Sequence, residues 1–65
     1  MNLDHIDRAI LRLLIQYHGW LNTNQIADKV DIAWLTAEKH LKQLNIHGYV
    51  IRGSRGSMIY WRINR

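Results

Sequence analysis

The chain contains no cysteine, which removes two of the usual supports of a small protein. Disulfide bonds and cysteine-based zinc sites are both excluded. A chain of 65 residues forms one domain and buries only about 60% of its unfolded surface, so its stability is marginal. We therefore expect oligomerisation to supplement folding, as is common at this size.

Metal-ligand and catalytic patterns are also scarce. Of the four histidines, only His40 and His47 share a helical face, and no carboxylate or third histidine stands at ligand spacing. No glycine motif of the Walker or dinucleotide type occurs, and no serine stands near a histidine in sequence. We predict no cofactor, no metal site and no enzymatic activity.

No apolar run approaches the ~20 residues needed to cross a bilayer. The opening residues Met1–Asp4 do not resemble a signal peptide. We expect a cytoplasmic protein with no membrane partner.

Acidic residues are nearly absent from the second half of the chain. Residues 32–65 carry six lysines and arginines against Glu38 alone, a formal charge of +5, whereas residues 1–31 carry −1. Such one-sided positive charge favours a polyanionic partner, most commonly nucleic acid. The alternative is a basic protein kept soluble by its charge.

The first helix is predicted from the spacing of its apolar residues. Asp4 can cap it, with Asp7 near the positive end of the helix dipole, and Gly19 stands where a left-handed residue would end it. Leu11 lies at the edge of the apolar stripe and Ile15 opposite it. This surplus apolar surface is either part of a broad core or a dimer contact. The stripe consists of Leu3, Ile6, Ile10, Leu13, Leu14 and Tyr17.

The rest of the chain predicts an α+β fold in a single domain, residues 1–65. The predicted elements are a strand at Trp20–Leu21, a second helix capped by Asn22 or Thr23 and ending at Val30, a third helix from Trp34 to about His47 ended by Gly48, and a hairpin of YVIR and MIYWRI closed by GSRGS.

Three stretches resemble the winged helix-turn-helix repressors of bacteria and archaea. TNQIADKVDIA is similar to the first helix and turn of the motif, TAEKHLKQLNIHGYV to its recognition helix, and IRGSRGSMIYWRI to its wing. The resemblance covers nearly the whole chain. It implies a transcriptional regulator that binds double-stranded DNA as a homodimer, with half-sites about one helical turn apart.

Two positions depart from the family pattern. Asp31 stands where the family often has glycine in the turn, and aspartate tolerates the left-handed conformation. Ala33 stands where a serine often caps the recognition helix, and losing that cap typically costs about 1 kcal/mol. Alternatively, Asp31 caps the helix and it begins two residues earlier.

The third helix has two distinct faces. Ala37, Leu41 and Leu44 are predicted to face the core, with His40 packed at its edge. Trp34 is expected to close the core at the top of the helix; the alternative is an exposed aromatic that indicates a protein partner. Glu38 can pair with Lys42, four residues on. The opposite face carries residues suited to base edges and phosphates in a major groove, although an ordinary solvated face would look similar. Its members are Leu35, Thr36, Lys39, Lys42 and Gln43.

The hairpin is predicted to place Ile59, Trp61 and Ile63 inward with Tyr49 and Ile51, and Arg52, Tyr60 and Arg62 outward. Gly53 and Gly56 are expected to allow positive φ in the turn and to leave the backbone open to close approach. Arg55 at the tip can enter a minor groove or straddle phosphates, unless the tip is merely a hairpin closure with a solubilising charge.

Three functions remain open at this point. In the first, Arg52, Arg55 and Arg62 hold the DNA flanking the major groove that the third helix reads. In the second, the chain is a protein-interaction module of a larger assembly, with Leu11, Ile15, Trp34 and Leu35 as contacts. In the third, it binds RNA or single strands by stacking on Tyr60. So short a regulator would fit an archaeal, plasmid or viral source.

Overall fold

The computed structural model describes all 65 residues as three helices and a three-stranded antiparallel sheet. The helices are α1 (His5–Tyr17), α2 (Thr23–Val30) and α3 (Trp34–Ile46), and the strands are β1 (Leu21–Asn22), β2 (Val50–Arg55) and β3 (Met58–Ile63). The predicted order of elements is confirmed, and β3 lies between β1 and β2 in the sheet. None of the three helices is long and apolar enough to cross a membrane.

The first two helices begin with reciprocal caps. The Asp7 N–H donates to Asp4 Oδ1 at 2.8 Å, and the Asp4 N–H donates to Asp7 Oδ2 at 3.0 Å. Asn22 and Gln25 repeat this arrangement at α2, at 2.8 and 2.9 Å. Each pair satisfies two backbone donors that a helix otherwise leaves unpaired. The predicted cap at Asp4 is confirmed, and Asn22 rather than Thr23 caps α2.

The helix ends are set by left-handed residues, but one differs from the prediction. The left-handed residue that caps the end of α1 is His18, whose φ is 65°, and not Gly19. Histidine is among the residues that enter this region more often than most, so glycine was not required. α2 ends at Val30, as predicted, and its C-cap Asp31 is left-handed with φ 62°.

The turn between α2 and α3 leaves the start of α3 without a side-chain cap. α3 begins at Trp34, and the side chain of its N-cap, Ala33, makes no capping hydrogen bond. The proposed cap by Asp31 is wrong, because Asp31 completes α2: its N–H donates to the carbonyls of Ala27 and Asp28.

All three helices and the sheet contribute to one core. Trp61 lies within it, and its Nε1 donates to the buried Thr23 Oγ1 at 2.9 Å. Leu11 is only 9% exposed and belongs to this core, so the dimer contact predicted at Leu11 and Ile15 retains only Ile15, which is 49% exposed. The core residues are Ile10, Leu11, Leu14, Leu21, Ile26, Ala27, Ala37, Leu41, Leu44, Val50 and Trp61.

The hairpin differs from the prediction in its turn and in the register of β2. The loop has only two residues, Gly56 and Ser57, with φ 61° at Gly56. Val50 pairs with Ile63 and is buried, whereas Ile51 is exposed on the other face. The inward set of β3 was correct, and that of β2 was wrong by one residue. Because side chains alternate along a strand, this shift moves every β2 side chain to the opposite face.

Candidate nucleic-acid interface

The rotation of α3 about its axis is set by three fully buried residues. Ala37, Leu41 and Leu44 have no exposed surface, as predicted. The opposite side of the helix therefore points to solvent, since helical side chains repeat about every 3.6 residues. This outward stripe consists of Leu35, Lys39, Lys42 and Gln43, all exposed, with Thr36 half-buried beside them.

Trp34 does not close the core, contrary to the prediction. Its side chain is 43% exposed, and its neighbour Leu35 is 72% exposed. Trp34 begins the helix, where the core no longer covers the inward side, so its position on a helical wheel overstated its burial.

A groove of about 320 Å³ separates α3 from the hairpin. Lys42 lines it from the helix and Arg52 from β2, so two cations border one channel. The register of β2 explains this placement: Arg52 pairs with Trp61 and shares its inward face, and is not on the outer face as predicted. The full lining is Asn22, Thr23, Asn24, Trp34, Glu38, Lys42, Arg52, Ser57, Met58, Ile59 and Trp61.

Glu38 is the one acidic residue in the groove. Its carboxylate lies 3.7 Å from Lys42 Nζ, which confirms the predicted pair four residues apart. Both groups are substantially exposed, so the pair adds little to stability. Its position partly offsets the positive potential on one wall of the groove.

His40 is absent from the outward stripe because it bonds to α1. Its Nδ1 lies within hydrogen-bond distance of the buried Asp7, and Asp4 lies nearby. The packed role predicted for His40 is confirmed. The sequence gives no spacing signal for this cluster, since α1 and α3 are far apart along the chain. Its carboxylate oxygens are engaged by the α1 cap and by His40 itself.

The three arginines of the hairpin occupy three different places. Arg52 faces the groove, and exposed Arg55 ends β2 beside the turn, as predicted for the tip. Arg62 lies on the outer face, with its guanidinium carbon 5.5 Å from the centre of the Trp20 ring. The structure therefore brings Arg52 to α3 but places Arg62 on the opposite side of the sheet.

Trp20 is a surface residue, predicted from the sequence only as part of a short strand. It precedes β1 and is 42% exposed, and its six-membered ring lies against Gly53 of β2. A Cβ at Gly53 would lie 2.9 Å from Trp20 Cζ3. Gly53 does not have positive φ, so the predicted turn role was wrong and the ring explains the glycine. The sequence signal that predicts this position is alternation: Leu21 faces inward, so its neighbour Trp20 lies on the outer face of the sheet.

A tight turn between two helices, an exposed second helix and an adjoining hairpin define a winged helix-turn-helix domain. The chain belongs to the winged helix-turn-helix DNA-binding family, whose model matches residues 3–51. The resemblance seen in the sequence is confirmed. This family binds DNA.

Solved structures of similar proteins agree with this assignment. A possible transcriptional regulatory protein of Mycobacterium bovis, fragment 1–100, is 29% identical with a TM-score of 0.86, over 95% of this chain and 64% of that one. A solution structure from the same organism is described as a homodimeric winged helix-turn-helix DNA-binding domain of a possible ArsR-family regulator. It is 29% identical with a TM-score of 0.84, over 95% of this chain and 56% of that one.

An archaeal protein from Sulfolobus tokodaii is 25% identical with a TM-score of 0.83, over 92% of this chain and 60% of that one. The present chain thus spans less than two thirds of each of these chains. No curated protein matches the sequence.

Proposed function

We propose that this domain is a transcriptional regulator that inserts α3 into the major groove of double-stranded DNA and sets the hairpin wing on the flanking backbone or minor groove. One observation carries the proposal. The polar stripe of α3 is exposed beside a groove whose far wall presents Arg52, so cations from two elements face one concave surface. Cationic side chains on such a surface neutralise phosphates and release counterions.

Each residue of the outward stripe has a chemical role in this arrangement. Lys39, at the centre of the stripe, reaches a guanine edge or a phosphate, and Gln43 one turn later pairs with adenine. Thr36 bonds a base or a phosphate, and Leu35 contacts a thymine methyl group. Lys42 lies toward the wing and suits a phosphate at the edge of the groove.

The wing supplies contacts outside the major groove. Arg55 at the end of β2 enters a minor groove, whose narrow form attracts guanidinium groups, or bridges phosphates. Arg52 holds the backbone between the wing and α3. Arg62 pairs with Ile51 near the base of the hairpin, on the outer face, and contacts only a phosphate that flanks the wing. These contacts position the domain, and the α3 residues supply sequence preference.

The domain acts as a homodimer in this proposal. A 29% identical winged helix-turn-helix domain is described as homodimeric, and Ile15 leaves an apolar side chain half exposed on α1. Two copies would read half-sites about one helical turn apart. The second copy also supplies affinity that so small a contact surface lacks.

The proposal is tested by titrating labelled protein with a short random-sequence duplex while backbone amide shifts are followed by NMR. We expect shifts in residues 34–43 and 52–57 that weaken steeply between low and physiological salt. Lys39→Ala and Arg55→Ala should each weaken binding and lower the slope of log affinity against log salt by about 1. Arg12→Ala, an exposed arginine on α1, is the matched control and should bind as wild type.

A protein-interaction module is the second candidate, and the exposure of Trp34 and Leu35 at the start of α3 favours it. Adjacent exposed apolar side chains mark interaction surfaces more often than isolated ones do. Duplex binding that ignores both Lys39→Ala and Arg55→Ala, or no amide shifts at low salt, would support this candidate against DNA recognition.

A further inference from the structure

We propose that the outer face of the wing is a second nucleic-acid site, which stacks an unpaired base of single-stranded DNA on Trp20 and Tyr60. Arg55 and Arg62 hold the adjoining phosphates. This site shares Arg55 and Arg62 with the proposed wing contacts, but Trp20 and Tyr60 lie apart from the α3 surface, because side chains on the outer face of the sheet point away from the groove beside α3.

The first observation is an aromatic pair that the core does not use. Trp20 is 42% exposed, and Tyr60 is half-buried on the central strand of the sheet. Tyr60 stands opposite Gly53 in β2, on which the Trp20 ring rests. Both aromatic side chains therefore border one open pocket of about 330 Å³ on the outer face. That volume is at the lower end of the ~300–1,000 Å³ of small-ligand pockets, which suits a single nucleoside.

The second observation is that Gly53 makes room for the indole. A glycine inside a strand is unfavourable, because it packs no side chain and loses more entropy than other residues. Any larger residue at Gly53 would meet the ring at 2.9 Å. β2 thus has a glycine, which destabilises a strand, at the position where the Trp20 ring packs against it.

The third observation is charge. Arg62 lies over Trp20 at 5.5 Å from the ring centre, and Arg55 lines the pocket, whereas no acidic residue does. Flat aromatic surfaces interleaved with guanidinium groups are the means by which proteins bind single strands, with stacked bases and neutralised phosphates. The strand is DNA because the wing that carries this face is the one proposed to lie on duplex DNA. A locally opened duplex would present both forms together.

The experiment measures binding of a fluorescein-labelled oligothymidylate of about eight nucleotides by anisotropy, within the site sizes usual for such proteins. Trp20→Ala should weaken binding roughly five- to hundred-fold, the loss expected for one stacked base. The matched control is Trp34→Ala, which removes a tryptophan of nearly equal exposure, 43% against 42%, from the other side of the hairpin. It should bind the oligonucleotide within about twofold of wild type.

Two further variants separate stacking from folding. Trp20→Leu keeps an apolar side chain over Gly53 but removes the aromatic surface, and should bind as weakly as Trp20→Ala. Gly53→Ala removes neither a charge nor an aromatic ring but displaces the indole, and should also weaken binding. Each variant is first shown to unfold cooperatively. Unchanged binding by Trp20→Leu, or equal losses from the Trp20 and Trp34 variants, would overturn the proposal.

Two comparisons separate this site from the duplex proposal and DNA from RNA. Lys39→Ala should weaken duplex binding and leave oligothymidylate binding unchanged. Trp20→Ala should weaken oligothymidylate binding and leave duplex binding unchanged. Failure of one proposal therefore leaves the other testable. Oligouridylate bound as tightly as oligothymidylate would refute the assignment to DNA.

Discussion

His40 Nδ1, on the helix proposed to read DNA, donates to Oδ1 of the buried Asp7 on α1 at 2.7 Å. The two residues are 33 positions apart in sequence. Asp7 also accepts the Asp4 N–H, so one carboxylate both caps α1 and orients α3 against it. Buried carboxylates are tolerated when hydrogen-bonded in this way.

We expect Asp7→Ala to destabilise the domain by about 1–3 kcal/mol, because it removes the acceptor of a part-buried imidazole and one bond of the cap. Urea unfolding measures the loss. Asp28→Ala, at an exposed position of α2, is the matched control and should change stability by less than about 0.5 kcal/mol. In a double-mutant cycle, the losses of unfolding free energy caused by Asp7→Ala and by His40→Ala should add up to more than the loss in the double variant. Strict additivity would show that the contact contributes nothing.

The buried bond from Trp61 to Thr23 gives a second stability prediction. Thr23→Val keeps the side-chain shape but leaves the Trp61 N–H unpaired in the core, which should cost about 1–3 kcal/mol. Thr23→Ser retains the acceptor and loses one methyl group, so it should cost less. Thermal or urea unfolding distinguishes them, and a Ser variant less stable than the Val variant would contradict the bond's role.

The contact between Trp20 and Gly53 predicts that Gly53→Ala changes stability in opposite directions with and without the indole. In the wild-type background, Gly53→Ala should destabilise by about 1 kcal/mol, because its Cβ would overlap the indole. In the Trp20→Ala background the same substitution should stabilise by up to about 1 kcal/mol, since alanine loses less entropy than glycine on folding. Unfolding free energies of the four proteins test this. The same sign in both backgrounds would reject the steric explanation.

The cap of α1 makes stability depend on pH at the acid end. The Asp7 N–H that donates to the Asp4 carboxylate holds the pKa of Asp4 below its ordinary value of 3.8. Stabilisation from the Asp4 charge is therefore present above that value and is lost as pH falls through the folded-state pKa. Asp4→Asn keeps an acceptor without the charge. The stability difference between wild type and Asp4→Asn, from urea midpoints at several pH values, should shrink on acidification. A constant difference would contradict the prediction.

The proposed dimer predicts that α1 contributes its exposed isoleucine. Ile15→Glu should shift the protein toward monomer in sedimentation equilibrium, because it places a charge in an apolar contact. Ile46→Glu changes an exposed isoleucine of α3 and serves as the control. A dimer unchanged by Ile15→Glu, or lost only with Ile46→Glu, would place the interface elsewhere.

The residues on each side of the site were predictable to different extents. The outward stripe of α3 followed from the 3.6-residue period alone, because Ala37, Leu41 and Leu44 leave one orientation of the helix. The orientation of Arg52 did not, because Tyr49, Val50 and Ile51 at the entry to β2 are all apolar, so alternation gives no clear inward set. The short turn and the pairing with β3 place Val50 on the inward face of β2. Arg52, two residues later, therefore faces α3.

By itself the sequence determined what depends on near neighbours along the chain. Three kinds of feature depend on residues within a few positions of one another: the caps at Asp4 and Asn22, the left-handed Asp31 and the amphipathic faces of the helices. The sequence alone therefore predicts them. Only the tertiary structure decided the His40–Asp7 bond, the exposure of Trp34 and the seat of Trp20 on Gly53. These depend on which distant surfaces meet, and packing of the whole core settles that.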